Sequence, residues 1–264
     1  MNSAAEGVLP ALATDDDLKQ YRATLIAAGY ARATVSARLN AARRFYTMAQ
    51  ARGYRHDNPA QGVKAPKDKT DQAERVKWLP LTAIQRVLTS PDPSTVRGKR
   101  DRAILAVLLG GGLRRSEAAR LTVDHVQQRE GRWVLVDIVG KRNKTRTVPI
   151  PSWAKVAIDA WTEAAGIREG RLFRSVHKGG YLNGESMAPQ AIYSLVREHA
   201  GGLGVAAHDL RRTFAKLAHK GGAGLDQIQL TLGHASIQTT ERYLGLAQDL
   251  TDAPCDRLGL RLAS

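Results

Sequence analysis

The chain has 264 residues, 43% of them hydrophobic, and sets 40 Lys and Arg against 25 Asp and Glu for a formal charge of +15. That composition excludes a disordered chain and points to a polyanionic partner, nucleic acid above all. Cys255 is the only cysteine, which excludes an intramolecular disulfide, and the lack of any long uncharged apolar run excludes a membrane span.

Residues 1–14 are small and largely apolar, without the basic start of a signal peptide, and read as a flexible leader. Helices are predicted over 18–28 and 31–53, within a short helical unit spanning 15–63. In the second helix Val35, Leu39, Ala42, Tyr46 and Ala49 recur at alternating spacings of four and three, making one apolar face. Between residues 18 and 67 Asp57 is the one acid against a run of bases that includes Arg32, Arg38, Arg43, Arg44, Lys64 and Lys67. A solvated face normally mixes both signs, so these six are candidate DNA contacts. Asn58-Pro59 closes the unit, and 64–80, with Pro66, reads as a linker.

The second domain, 81–264, opens at Thr82-Ala83-Ile84-Gln85, which has the form of a capping box. An apolar helix over 100–109 is stopped by Gly110-Gly111-Gly112, and a short helix over 115–121 follows directly. The β-branched runs 132–139 and 145–150 flank a polar turn and predict an antiparallel hairpin. Helices are then expected over 153–165, 188–199, 208–219, 224–232 and 236–245. The fold class is therefore mainly α with one small antiparallel β element.

Several groups along this domain carry chemistry. His208 and Arg211 stand at i and i+3 on one helix and point to one side. Gly233 reads as a helix-ending glycine that fixes His234, and Ser236 as a cap that sets Tyr243 two turns along the next helix. Arg114 follows the glycine stop, and Glu117, three residues on, is placed to buttress it or to support the helix start. Lys141, Arg142 and Lys144 cluster at the hairpin tip. No cluster of acids or cysteines suits a metal, and no cofactor is expected.

The order of these groups resembles the tyrosine recombinase and integrase family, of the Xer and phage-integrase type. The resemblance rests on Gly112-Leu113-Arg114-x-Ser116-Glu117, Gly140-Lys141-x-Asn143-Lys144-x-Arg146-x-Val148-Pro149, His208-x-Leu210-Arg211-x-Thr213-Phe214-Ala215, Leu232-Gly233-His234 and Thr239-Thr240-x-x-Tyr243. It implies a tyrosine-recombinase catalytic domain preceded by a short core-binding domain of SAM-like type. Only the second part of that arm is recognisable, in the Gly29-Tyr30 turn, the helix through Phe45-Tyr46, and Asn58-Pro59.

Carried over, the resemblance makes Tyr243 the nucleophile that forms a 3′-phosphotyrosine, with Arg114 and Arg211 on the non-bridging oxygens. Lys141 becomes the acid for the leaving 5′-oxygen, His208 a proton-transfer group, His234 a phosphate donor and Glu117 the supporting acid. Arg142 replaces the more usual glycine in the hairpin and leaves Lys144 as a rival to Lys141. The implied protein is a site-specific recombinase or integrase that uses neither metal nor ATP. It is expected to act on double-stranded recombination sites as a homo-tetramer, a monomer when free, with accessory proteins or a mobile element as further context. The expected place is the cytoplasm, at the nucleoid. A topoisomerase of type IB and a DNA binder without activity remain the rivals.

Overall fold

A computed structural model of the chain describes residues 10–66, 78–140 and 143–244; for Arg242 and Tyr243 it describes the helix they sit on but not their side chains. Lys67, Lys141, Arg142 and Cys255 therefore lie outside the described side chains. The chain divides into two compact units, 1–70 and 71–264.

The first unit is built on α1 (Asp15–Ala27) and α2 (Arg32–Ala51). Thr14 caps α1 in a capping box: its hydroxyl accepts from the Asp17 N–H, and the Asp17 carboxylate accepts from the Thr14 N–H at 2.8 Å. The helix so begins three residues earlier than the sequence predicts. Leu18 and Leu25 of α1 pack with Val35, Leu39 and Tyr46 of α2, and Ala60 and Val63 close the small core. Within the segment expected to be a leader, Ala13 is buried and the carbonyls of Pro10 and Ala11 accept from Arg55.

The second unit comprises α3 (Leu81–Thr89), α4 (Val96–Gly110), α5 (Arg115–Ala118), β1 (Val126–Arg129), β2 (Arg132–Val139), β3 (Thr145–Pro149), α6 (Ser152–Ala165), α7 (Pro189–His199), α8 (Ala207–Lys220), α9 (Leu225–Leu232) and α10 (Ile237–Leu244). The capping box expected at Thr82 does not form. Pro80, in extended conformation, is the N-cap, and Thr82 falls inside the first turn. Proline supplies the pre-set φ that starts the helix without a side-chain cap.

Helix α4 is apolar on every side from Ala103 to Leu109 and forms the centre of the domain core, packed against α6. A helix without a polar face is stable only when neighbours surround it. From α6, the buried Trp161 donates its indole N–H to the Leu172 carbonyl at 2.8 Å, fixing the loop that leaves the helix.

The predicted hairpin exists but belongs to a three-stranded antiparallel sheet in the order β1-β2-β3. The first strand, Val-Gln-Gln-Arg, is short and polar at three of its four positions, so neither alternation nor apolar content marks it. Between β2 and β3 the pairing slips by one residue: Leu135 faces Val148 whereas Ile138 faces Arg146. Asp137, at φ 53°, forms the bulge. Among the described residues no helix is long and apolar enough to cross a membrane.

Gly112 links this core to the polar cluster described next. Its φ is +59°, and a Cβ there would lie 2.6 Å from the Phe214 ring and 3.0 Å from Leu232. Gly112→Ala therefore combines backbone strain with a clash against two neighbouring helices. It is expected to destabilise the second unit by about 2–4 kcal/mol, read as a lower urea midpoint at unchanged slope.

Candidate active site

The α4 helix stops at Gly110, and the left-handed Gly112 turns the chain so that Arg114 stands at the N-terminus of α5. Glu117, one turn into that helix and 3% exposed, binds Arg114 twice. Its carboxylate accepts from the Arg114 backbone N–H at 2.8 Å and from the guanidinium at 2.6 Å. The two roles that the sequence left open for Glu117 are thus both filled by one side chain.

The same carboxylate accepts a two-pronged bond from Arg146 on β3, at 3.1 and 2.9 Å, and lies 3.9 Å from the Arg211 guanidinium of α8. A single buried carboxylate so meets three guanidinium groups from three elements. Burial by itself would push the Glu117 carboxyl up. The hydrogen bond from Arg146, the Arg114 N–H and the charge of Arg146 outweigh it and bring the group from 4.5 down to about 2.

The arginines also cap α9. Arg146 donates through Nε to the Thr231 carbonyl at 2.7 Å, and Arg211 donates to the carbonyls of Leu232 and Gly112. Last-turn carbonyls have no partner inside a helix, and cations are favoured at that negative end. Gly233 then ends the helix at φ 63°, as the sequence predicts. It is also too close to Arg146 for a side chain, since a Cβ would lie 2.9 Å from Arg146 Cδ.

His234 leaves this turn into the cluster. Its backbone is held on both sides by Gln229, and its Nδ1 is 3.0 Å from the hydroxyl of Thr240 on α10. Burial, then the charges of Arg211, Arg114 and Arg146, lower its pKa from 6.5 to about 4. His208, at the start of α8, is lowered in the same way by burial first and then by Arg212 and Arg211. Both imidazoles are therefore neutral near pH 7.

Of the residues singled out in the sequence, Arg114, Glu117, Arg211, His208 and His234 come together here. Tyr243 falls on α10, one turn past Thr240. At the hairpin, the Gly140 N–H donates to the Lys144 carbonyl at 2.8 Å, and Lys144 is exposed. In the first unit Arg43 is bonded to the carbonyls of Ala60 and Val63 and to Asn40, and Arg32 to the Pro66 carbonyl. Arg38 is exposed and stacks over Tyr30, 4.3 Å from the ring centre, while Arg44 and Lys64 are also exposed.

Two residues escaped the sequence reading. Arg146 appears there only as a letter of the hairpin motif, although it shares the inward face of β3 with the buried Val148, a spacing of two that marks it. Thr240 is fully buried, which its place in a polar stretch conceals.

These groups set the acid stability with opposite chemistry and the same sign. Glu117 titrates lower in the folded chain, so its contribution is complete above 4.5 and is lost as the pH falls toward 2. His234 folds neutral, so the unfolded chain takes up the proton first and stability drops from 6.5 toward 4. The melting temperature is expected to fall through both windows, and His234→Gln to flatten the upper one. A flat melting temperature from pH 7 to 4 in the native chain would contradict this electrostatic account.

Residues 77–249 match the family model described as the phage integrase family. The chain is 34% identical over 255 residues to a tyrosine recombinase XerC of Myxococcus xanthus, covering 92% of this chain and 76% of the relative. It is 32% identical over 237 residues to the XerC of Chromobacterium violaceum, covering 89% and 76%. In fold it is similar to the Tn1549 transposon integrase solved in complex with circular intermediate DNA, at a TM-score of 0.69 and 16% identity over 97% of this chain and 88% of that one. A basic cluster organised around Glu117, with two neutral histidines beside it, thus sits inside a matching sequence frame, and the chain belongs to the phage integrase family as a tyrosine-type site-specific DNA recombinase.

Proposed function

We propose that Tyr243 attacks a DNA phosphodiester and that the Glu117-centred cluster stabilises the charge this creates. The carrying observation is that one buried carboxylate fixes Arg114, Arg146 and Arg211, leaving two net positive charges beside His234. Attack of a tyrosine oxygen on a singly charged diester produces a phosphorane with up to two negative charges. Fixed cations stabilise that species without reorganising at the moment of reaction.

The Tyr243 oxygen forms a bond to phosphorus while the bond to the 5′-oxygen breaks, giving a 3′-phosphotyrosine and a free 5′-hydroxyl. A tyrosine hydroxyl has a pKa of about 10, so it needs a base, and the neutral His208 takes its proton. The leaving 5′-oxygen takes a proton from Lys141, with Lys144 as the alternative donor. Arg114 and Arg211 face the non-bridging oxygens and His234 donates to one of them. The phosphotyrosine keeps the bond energy, so a 5′-hydroxyl from another strand reseals the break without ATP.

Around this chemistry, the first unit serves as the DNA-grasping arm over about residues 15–63, joined by the linker 64–80 to the catalytic domain 81–264. Arg38, Arg44, Lys64 and Lys67 are its phosphate contacts, and Arg142 and Lys144 add contacts from the hairpin. Arg43 and Arg32 act through the arm's own shape, since backbone carbonyls hold them. Strand exchange between two paired sites takes four copies, free chains being monomers, with accessory proteins as further partners. The working place is the cytoplasm, at the nucleoid, on chromosomal or mobile-element DNA.

A nicked suicide duplex from the flanks of its own gene tests the reaction. The native chain is expected to form an adduct that survives denaturing gels and is formed equally well in EDTA, and Tyr243→Phe none. Tight DNA binding without adduct in both would replace the recombinase reading by a silent DNA binder. Because His208 is held below 6.5, the acid limb of the single-turnover cleavage rate is expected below that pH, and His208→Gln to remove it. A limb that stays in place in His208→Gln would assign the base elsewhere.

A further inference from the structure

The Thr240 hydroxyl is fully buried and lies 3.0 Å from Nδ1 of His234. A neutral imidazole has one N–H and one bare nitrogen, and a threonine hydroxyl has one proton to give. Two arrangements satisfy the contact. Either Nδ1–H donates to the hydroxyl and Nε2 is bare, or the hydroxyl donates to Nδ1 and Nε2 carries the hydrogen.

A phosphate oxygen accepts hydrogen bonds and cannot give one. On the reading proposed above, which this inference extends, His234 must therefore present an N–H. It sits among three guanidinium groups that disfavour a second proton on the ring. The remaining way to have a donor at Nε2 is for the partner at Nδ1 to be the donor of that contact. We propose that Thr240 is a positioning residue that holds His234 in the Nε2–H tautomer, so that the imidazole can donate to the scissile phosphate.

A mechanical consequence follows from where Thr240 sits. It belongs to α10, the helix that carries Tyr243 one turn further on, whereas His234 belongs to the turn after α9. Leu244 of the same helix packs with Leu232, Ile228 and Ala215, and its carbonyl accepts from Lys216 on α8 at 3.0 Å. Docking of α10 therefore sets the imidazole and the nucleophile-bearing helix in one event. An undocked α10 leaves His234 without its tautomer partner, so phosphate activation and delivery of the tyrosine are linked.

The full chain with 15N-labelled histidine tests this, with His234 assigned by His234→Gln. Two-bond proton–nitrogen correlations near pH 7 are expected to show His234 with Nε2 protonated in the native protein. Thr240→Val keeps the shape but removes the hydroxyl. It is expected to lose that tautomer preference and to slow cleavage of a saturating suicide duplex roughly 10- to 100-fold, with DNA affinity within about twofold. Thr240→Ser is expected to restore both. An Nδ1–H tautomer in the native protein would overturn the proposal, as would native cleavage rates in Thr240→Val. The tautomer is read without DNA or turnover. An Nε2–H preference that disappears in Thr240→Val, in a chain that forms no Tyr243-dependent adduct, would thus sustain the role of Thr240 and sink the strand-cleavage reading instead.

Discussion

The buried carboxylate of Glu117 is the interaction on which the rest of this domain depends. Three guanidinium groups brought together without it would repel one another, and burial would make that repulsion expensive. With it, the start of α5, strand β3 and helix α8 are tied at one point. The price is a charge whose removal leaves its partners uncompensated, which is the general behaviour of buried ion networks. Here that rigidity has a use, because the surplus positive charge is held in place before any phosphate arrives.

The helix ends share in the arrangement. The last carbonyls of α9 are bonded by Arg146 and Arg211, so the helix terminus and the cation cluster satisfy each other. Gly112 and Gly233 make this possible through left-handed turns at points where a side chain would strike Phe214 or Arg146. The positions of Arg114 and His234 are consequences of these two turns. The histidines inherit their protonation state from the same source, as burial and the arginine charges keep both neutral.

Much of the site was legible in the sequence because its residues lie next to strong local signals. A glycine stop precedes Arg114, a glycine helix end precedes His234, and His208 and Arg211 share a helix face by their spacing. Arg146 was less visible, since an arginine on a short strand reads as a surface charge until its partner is known. The strand β1 was missed because two glutamines and an arginine in four residues give no apolar alternation. The cap of α3 lies two residues before Thr82: Thr82 and Gln85 fit a local rule, but Pro80 starts the helix.

The sequence by itself determined the helical class, the hairpin, the basic partner preference and the order of the chemical groups, because these rest on periodicity, turn chemistry and charge that are local in the chain. The tertiary structure alone decided which charges are paired. Glu117 meets Arg146 across 29 positions, and Arg211 meets Gly112 across 99. It likewise separated Arg43, bound to carbonyls of its own unit, from Arg38 and Arg44 on the surface, which the sequence had grouped together. Contacts over such distances depend on how helices pack, and no local pattern encodes the partner of a buried charge.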